Sequence, residues 1–233
     1  MKFKFYHGTS SIFLSSIKEN GLGKINPNTD LKLLDVLKYL RNLAEKNLLS
    51  NERYLKLQET TYAMCKQAFL EKPTEDGKTK TFNFRHTNIH IALSKERAIT
   101  HVVNNKYGSE ILDRCIEIYK LLKSSNIKFE IPKNINQFGF ENYIESDPKR
   151  IIIEILEIDE NGLNKDDGKT AKEALDYLRT QIPKLDEETK FYFFQRCNFE
   201  LLYPIESKYL KFYELDFDGY PGDMDFEYTL SKI

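Results

Sequence analysis

Of the 233 residues, 40% are apolar and 13% aromatic, enough for a sizeable core in one large domain or a domain carrying an insertion. The 35 Lys and Arg nearly balance the 36 Asp and Glu, and the formal net charge of -1 removes any global electrostatic drive toward nucleic acid or membrane. Three scattered cysteines, Cys65, Cys115 and Cys197, argue against a disulfide framework or a zinc site and for buried thiols in a reducing compartment.

Lys2 to Tyr6 alternates as a strand, and His7-Gly8-Thr9 follows at its end. Met1 leads directly into that strand, and no apolar run reaches signal-peptide or membrane-spanning length. The expectation is a cytoplasmic chain with no membrane partner, although specialised secretion into another cell needs no such signal. Ser10 or Ser11 is placed to cap a helix carrying Ile12, Phe13, Ile17 and Leu22, with Gly21 and Gly23 as its stop. After the Asn26-Pro27-Asn28 turn, Leu33, Leu34, Leu37, Leu40, Leu43, Ala44 and Leu48 make one helical stripe. Tyr54, Leu57, Thr61, Met64, Cys65, Ala68 and Phe69 make another. Ser50-Asn51 separates them, so a helical hairpin of core-facing helices is expected.

Lys72 to Lys80, with Pro73 and Asp76-Gly77, reads as a polar loop, and Thr81 to Arg85 as a strand. Asn88 to Leu93 is a strand, with Ser94 capping a helix over Lys95 to Asn105; a further helix follows Gly108-Ser109. Residues 126 to 148 are irregular. Arg150 to Ile158 is the strongest strand, apolar and then alternating, as suits a central position. Asp159 to Gly168 is turn-rich, Thr170 to Gln181 helical and Asp186 to Cys197 ambiguous. Asn198 to Tyr203 and Tyr209 to Phe217 are strands, and an acidic, aromatic tail follows from Asp216 to Glu227.

Three segments carry candidate chemistry. His7-Gly8-Thr9 offers ring nitrogens, an approachable main chain and a hydroxyl at one strand end. Ile89-His90-Ile91-Ala92-Leu93-Ser94 places a flat imidazole on a strand that leads into a capped helix. Asn198-Phe199-Glu200-Leu201-Leu202-Tyr203-Pro204 sets a carboxylate between large apolar neighbours, a costly position unless the charge is used or paired. Asn198, two residues earlier, shares its face.

These segments, in this order, resemble the motifs of the ADP-ribosyltransferase fold in its poly(ADP-ribose) polymerase-like and diphtheria-toxin-like branch. Arg150 to Ile155 is similar to that family's central strand. The resemblance covers residues 1 to 25, 86 to 105 and 150 to 215. It implies an α+β fold with a split β-core of two facing sheets and peripheral helices, forming a single domain over 1–233 with a helical insertion at about 28–80. It implies NAD as co-substrate and no metal. Gly8 would pair with the nicotinamide amide, His7 would bond the adenosine-side ribose, and Thr9 would help orient the dinucleotide. His90 stands where the family usually has a nicotinamide-stacking tyrosine; a second histidine occurs in the branch that includes RNA 2'-phosphotransferases. Glu200 would be the catalytic carboxylate and Asn198 would orient the acceptor. Arg85 would meet the pyrophosphate, with Ser94 beside the cofactor and His86 and His101 as lesser candidates. The expected function is ADP-ribosyl transfer to a protein, RNA or DNA by a toxin or defence effector, with an antitoxin or regulator as a possible partner. The alternatives are an RNA 2'-phosphotransferase-like enzyme, a non-catalytic module binding NAD or ADP-ribose, and a helical interaction protein.

Overall fold

The computed structural model describes residues 2–74, 77–165 and 170–233, and the chain is mixed α+β. It divides into two compact units, one of Met1–Ile25, Asn88–Ser109 and Asp147–Ile233, the other of Asn26–Thr87 and Glu110–Ser146.

Strand β1 (Phe5–Ser10) runs further than the expected Lys2–Tyr6, because its pairing continues until Ser10 lies opposite Arg150. His7-Gly8-Thr9 therefore lies within a strand and not after one. Helix α1 (Ser11–Asn20) buries Phe13 and Ile17 and stops at Gly21. Neither serine caps it. Ser10 Oγ donates to the Tyr107 carbonyl at 2.8 Å, and Ser11 Oγ accepts the Lys149 N–H at 3.0 Å.

Helices α2 (Leu33–Asn47) and α3 (Glu52–Lys66) form the expected hairpin elements, and Asn51 caps α3 by accepting the Tyr54 N–H at 3.0 Å. The stretch read as a loop instead holds parts of β2 (Phe69–Pro73) and β3 (Thr79–Asn83), paired antiparallel with Lys72 opposite Lys80. Polar residues at most of their positions hide the alternation, since both strands are largely exposed. Asp76 of the turn signal lies outside the described residues.

Strand β4 (His90–Ala92) leads into α4 (Lys95–Asn104), and Ser94 caps α4 as expected by accepting the Arg97 N–H at 3.1 Å. Helix α5 (Glu110–Ser124) follows. Strand β5 (Arg150–Ile155) is shorter than the apolar run that announced it, and β6 (Leu163–Lys165) interrupts the turn-rich stretch, whose Gly168 lies outside the described residues. Helix α6 (Ala171–Gln181) is as expected. The ambiguous segment is α7 (Glu187–Gln195), capped by Asp186, which accepts the Thr189 N–H at 2.7 Å. Strands β7 (Asn198–Leu201) and β8 (Leu210–Asp218) precede β9 (Glu227–Lys232), which the acidic tail did not announce.

In the first unit seven strands form one antiparallel sheet in the order β6-β7-β4-β1-β5-β8-β9; β2 and β3 make a separate two-stranded sheet in the second unit. The expectation of two facing sheets is thus corrected to one hydrogen-bonded sheet, because β1 pairs with both β4 and β5. The sheet is nonetheless almost divided. β1 and β5 stay in register from Phe5↔Ile155 to Ser10↔Arg150, whereas β1 and β4 share the single pair Tyr6↔Ala92.

Helix α4 covers one face of the larger half. Ala98, Ile99 and Val102 pack there on Ile152 and Leu215, joined by Tyr6, Tyr213 and Phe217. Gly8 shares that face and lets the helix come close: a Cβ there would stand 2.4 Å from the Ala98 carbonyl oxygen and 2.6 Å from Val102 Cγ1. In the second unit α2 packs chiefly on α5, and Cys65 and Cys115 are buried thiols, with burial pushing Cys65 up to about 11. Among the described residues no helix is long and apolar enough to cross a membrane.

The packing at Gly8 predicts that Gly8→Ala forces α4 off the sheet and lowers stability by about 1–3 kcal/mol, the usual cost of overpacking. Thermal unfolding of the variant beside the parent chain measures it.

Candidate functional site

Main-chain alternation decides what β1 presents to β4. The Ser11 N–H bonds the Lys149 carbonyl directly opposite, so odd-numbered residues of β1 turn their main-chain groups toward β5. Tyr6, Gly8 and Ser10 therefore turn theirs toward β4. On β4, the Leu201 N–H to Ile89 carbonyl and Leu93 N–H to Cys197 carbonyl bonds commit the odd positions to β7, so His90 and Ala92 face β1. Tyr6 meets Ala92, and the next pairing in that register would be Gly8 with His90. Among the described residues it is not formed.

The His7 ring stands in its place. Its Nδ1 lies 2.7 Å from the His90 carbonyl oxygen. A carbonyl only accepts, so Nδ1 carries the proton and donates, and in the neutral ring Nε2 is left as an acceptor. Burial lowers the His7 imidazole from 6.5 to about 4, outweighing the His90 carbonyl bond that favours the charged form; the nearby His90 ring adds to the lowering. At neutral pH His7 is thus an uncharged donor that occupies the His90 carbonyl, and the buried Gly8 turns its N–H and carbonyl toward β4 just beyond the last β1–β4 pair.

On the far side of β4, Glu200 of β7 lies directly across from His90. Opposed residues project from one face with Cβ atoms about 4.5–5.5 Å apart. Glu200 is only 9% exposed, and its Oε2 accepts from Asn88 Nδ2 at 3.1 Å. Asn164 of β6 is its opposite neighbour on the other side. Gly8, His90, Glu200 and Asn164 therefore follow one row across four neighbouring strands, with the gap in that row lying between Gly8 and His90. Asn198 shares the Glu200 face, opposite Ala92.

The remaining candidates sit differently. Thr9 is in β1 beside Gly8 but only 2% exposed. Ser94 is 4% exposed; besides capping α4, its hydroxyl donates to Glu96 Oε2 at 3.0 Å. Arg85 belongs to the second unit, where its guanidinium lies 4.8 Å from the Phe69 ring centroid. His86 is in that unit too, with Nε2 3.6 Å from Glu110 Oε2. His101 lies on α4, with Nδ1 3.4 Å from Asn105 Nδ2. Glu154 of β5, another carboxylate on a strand of the sheet, is held structurally by the Tyr213 hydroxyl at 3.0 Å and Lys4 at 3.2 Å. Nothing in the sequence marks Asn88 or Asn164 for the site, since an asparagine gives no signal until strand register puts it beside a carboxylate.

No family model, no curated protein and no solved structure matches this chain.

The depressed His7 pKa has a pH signature. Below about 6.5 the unfolded chain binds a proton that folded His7 refuses until about pH 4, so the stability this residue contributes above 6.5 is lost as pH falls through that window. His7→Gln, which keeps a side-chain donor but does not titrate, is expected to flatten the fall by up to one proton. Urea unfolding midpoints compared between pH 7 and pH 4 read out the difference.

Proposed function

We propose that the chain is an NAD-dependent ADP-ribosyltransferase acting on a macromolecule, of the split-β-core kind that its motifs resemble. The observation that carries this reading is the interrupted row. The main-chain donor and acceptor of Gly8 turn toward β4 one step past the single β1–β4 pair, and a buried carboxylate, Glu200, stands in the same row on the strand beyond β4. A carboxamide such as that of nicotinamide carries one acceptor and one donor group, which is the complement of the Gly8 N–H and carbonyl. The four sequence segments of the resemblance, spread over most of the chain, are the four adjacent strands β7, β4, β1 and β5, which supports treating them as one site.

In this reading Gly8 grips the carboxamide through its main chain, and neutral His7 fixes the edge of β4 and offers Nε2 to a ribose hydroxyl. His90 supplies a flat ring beside Glu200. The Glu200 carboxylate stabilises positive charge as it builds on the nicotinamide ribose while the N-glycosidic bond breaks and nicotinamide leaves with the bonding electrons. It then takes the proton from the acceptor group as that group bonds to the same anomeric carbon. Asn88 holds the carboxylate in place without neutralising it. The acceptor class, and an antitoxin or regulator as partner to a toxin or defence effector, belong to the same proposal and rest on the resemblance.

Glu200→Gln keeps the size of the side chain and an oxygen for Asn88 but removes the charge. The expected result is loss of nicotinamide release and macromolecular labelling by about 100-fold or more, with NAD affinity by calorimetry unchanged. Full activity in the variant would overturn the assignment of Glu200. Absence of NAD binding by the parent chain would overturn the function as a whole.

A further inference from the structure

β9 is the longer of the two edges of the seven-stranded sheet; the other, β6, is a three-residue strand. Its free side can be assigned residue by residue. The Ile233 N–H bonds the Phe212 carbonyl directly opposite, so Glu227, Thr229 and Ser231 turn their main-chain groups toward β8, and Tyr228, Leu230 and Lys232 turn theirs outward. An edge of this kind, with no proline along its length, is a template for another strand.

We propose that this edge pairs with the same edge of a second copy of the chain, antiparallel about a two-fold axis at Leu230, so that the two seven-stranded sheets become one. The register follows from geometry. A two-fold axis normal to the sheet keeps each face on its own side, so opposed residues must differ by an even number. Centring on Leu230 pairs Leu230 with Leu230 and Tyr228 with Lys232 at both ends, and each of these pairings exchanges two main-chain hydrogen bonds. Centring one residue earlier, on Thr229, loses one of the three pairings. In the favoured register Thr229 faces Ser231 on one side of the sheet. On the other, the Leu230 pair extends the apolar surface that Tyr228, Leu230 and Phe226 already make against α4.

Charge selects the same orientation. The turn end of the β8–β9 hairpin carries Asp218, Asp223, Asp225 and Glu227, whereas the opposite end carries Lys211 and Lys232 beside Glu214, whose charge is paired with Lys149. Antiparallel pairing brings the basic end of each copy beside the acidic end of the other, whereas parallel pairing would set like beside like.

The test is sedimentation of the parent chain over a range of concentrations, alongside Lys232→Pro and Lys232→Glu. The Lys232 N–H points outward and its side chain is exposed, so proline removes edge hydrogen bonds and leaves the β8–β9 ladder and the core intact. Unchanged far-ultraviolet circular dichroism and thermal midpoint confirm that the variant is folded. The parent chain is expected to move from monomer to dimer mass as concentration rises, with dissociation weakened about tenfold or more in Lys232→Pro. Lys232→Glu is expected to weaken the dimer most at low salt. A parent chain that stays monomeric up to about millimolar concentration, near the weak limit of specific association, overturns the proposal. So does a dimer that both variants leave intact.

Discussion

The candidate site depends on one hydrogen bond, from His7 Nδ1 to the His90 carbonyl. In an uninterrupted antiparallel sheet that carbonyl would take the Gly8 N–H, and β1 and β4 would zip together through the row containing Glu200. The imidazole takes the carbonyl instead. The edge of β4 stays satisfied, and the main chain of Gly8 remains turned toward the gap. A buried carbonyl left without a donor is expensive, so the ring also stabilises the parting of the two halves. Its lowered pKa follows from the same placement: a ring held between two strands is shielded from water, and only its neutral form belongs there.

Gly8 answers two demands that act at right angles. Across the sheet, its N–H and carbonyl face β4. Normal to the sheet, its missing side chain admits α4, whose Ala98 carbonyl would sit 2.4 Å from any Cβ. Packing alone therefore accounts for glycine at this position; the residue is buried, and the turn of its main chain toward β4 without a paired partner is a consequence of where the β1–β4 register stops. Ser94 links the two effects in the chain, since it ends the β4 segment and caps the helix that presses on Gly8.

Much of the sheet was legible because the apolar run at Arg150 to Ile155 and the alternation at Ile89 to Leu93 and Asn198 to Leu201 are strong. The helices were legible from apolar stripes at helical spacing, with Ser94 serving as the cap its position suggested and Asn51, between the two stripes, capping α3. Legibility weakened where strands lie open to water. β2 and β9 mix lysine, threonine and glutamate and were not expected, while β3 was expected at Thr81 to Arg85 and lies two residues earlier, at Thr79–Asn83. For the site, His7, Gly8, His90 and Glu200 were visible as residue types at strand positions, but their shared row was not, because register is a long-range property. Asn88 and Asn164 owe their place beside Glu200 entirely to that register. Arg85 was drawn in by its nearness in sequence to His90, yet the chain passes from one compact unit to the other between them.

The central claim is that the Gly8 main chain faces an opening that takes the carboxamide of nicotinamide. Amide hydrogen exchange at Gly8, followed by NMR with and without NAD, tests it most directly. The account predicts that the Gly8 N–H exchanges faster than those of its β1 neighbours His7 and Thr9, which point to β5, and that NAD protects it. A Gly8 amide already as protected as its neighbours, or one that NAD leaves unchanged, would contradict the account.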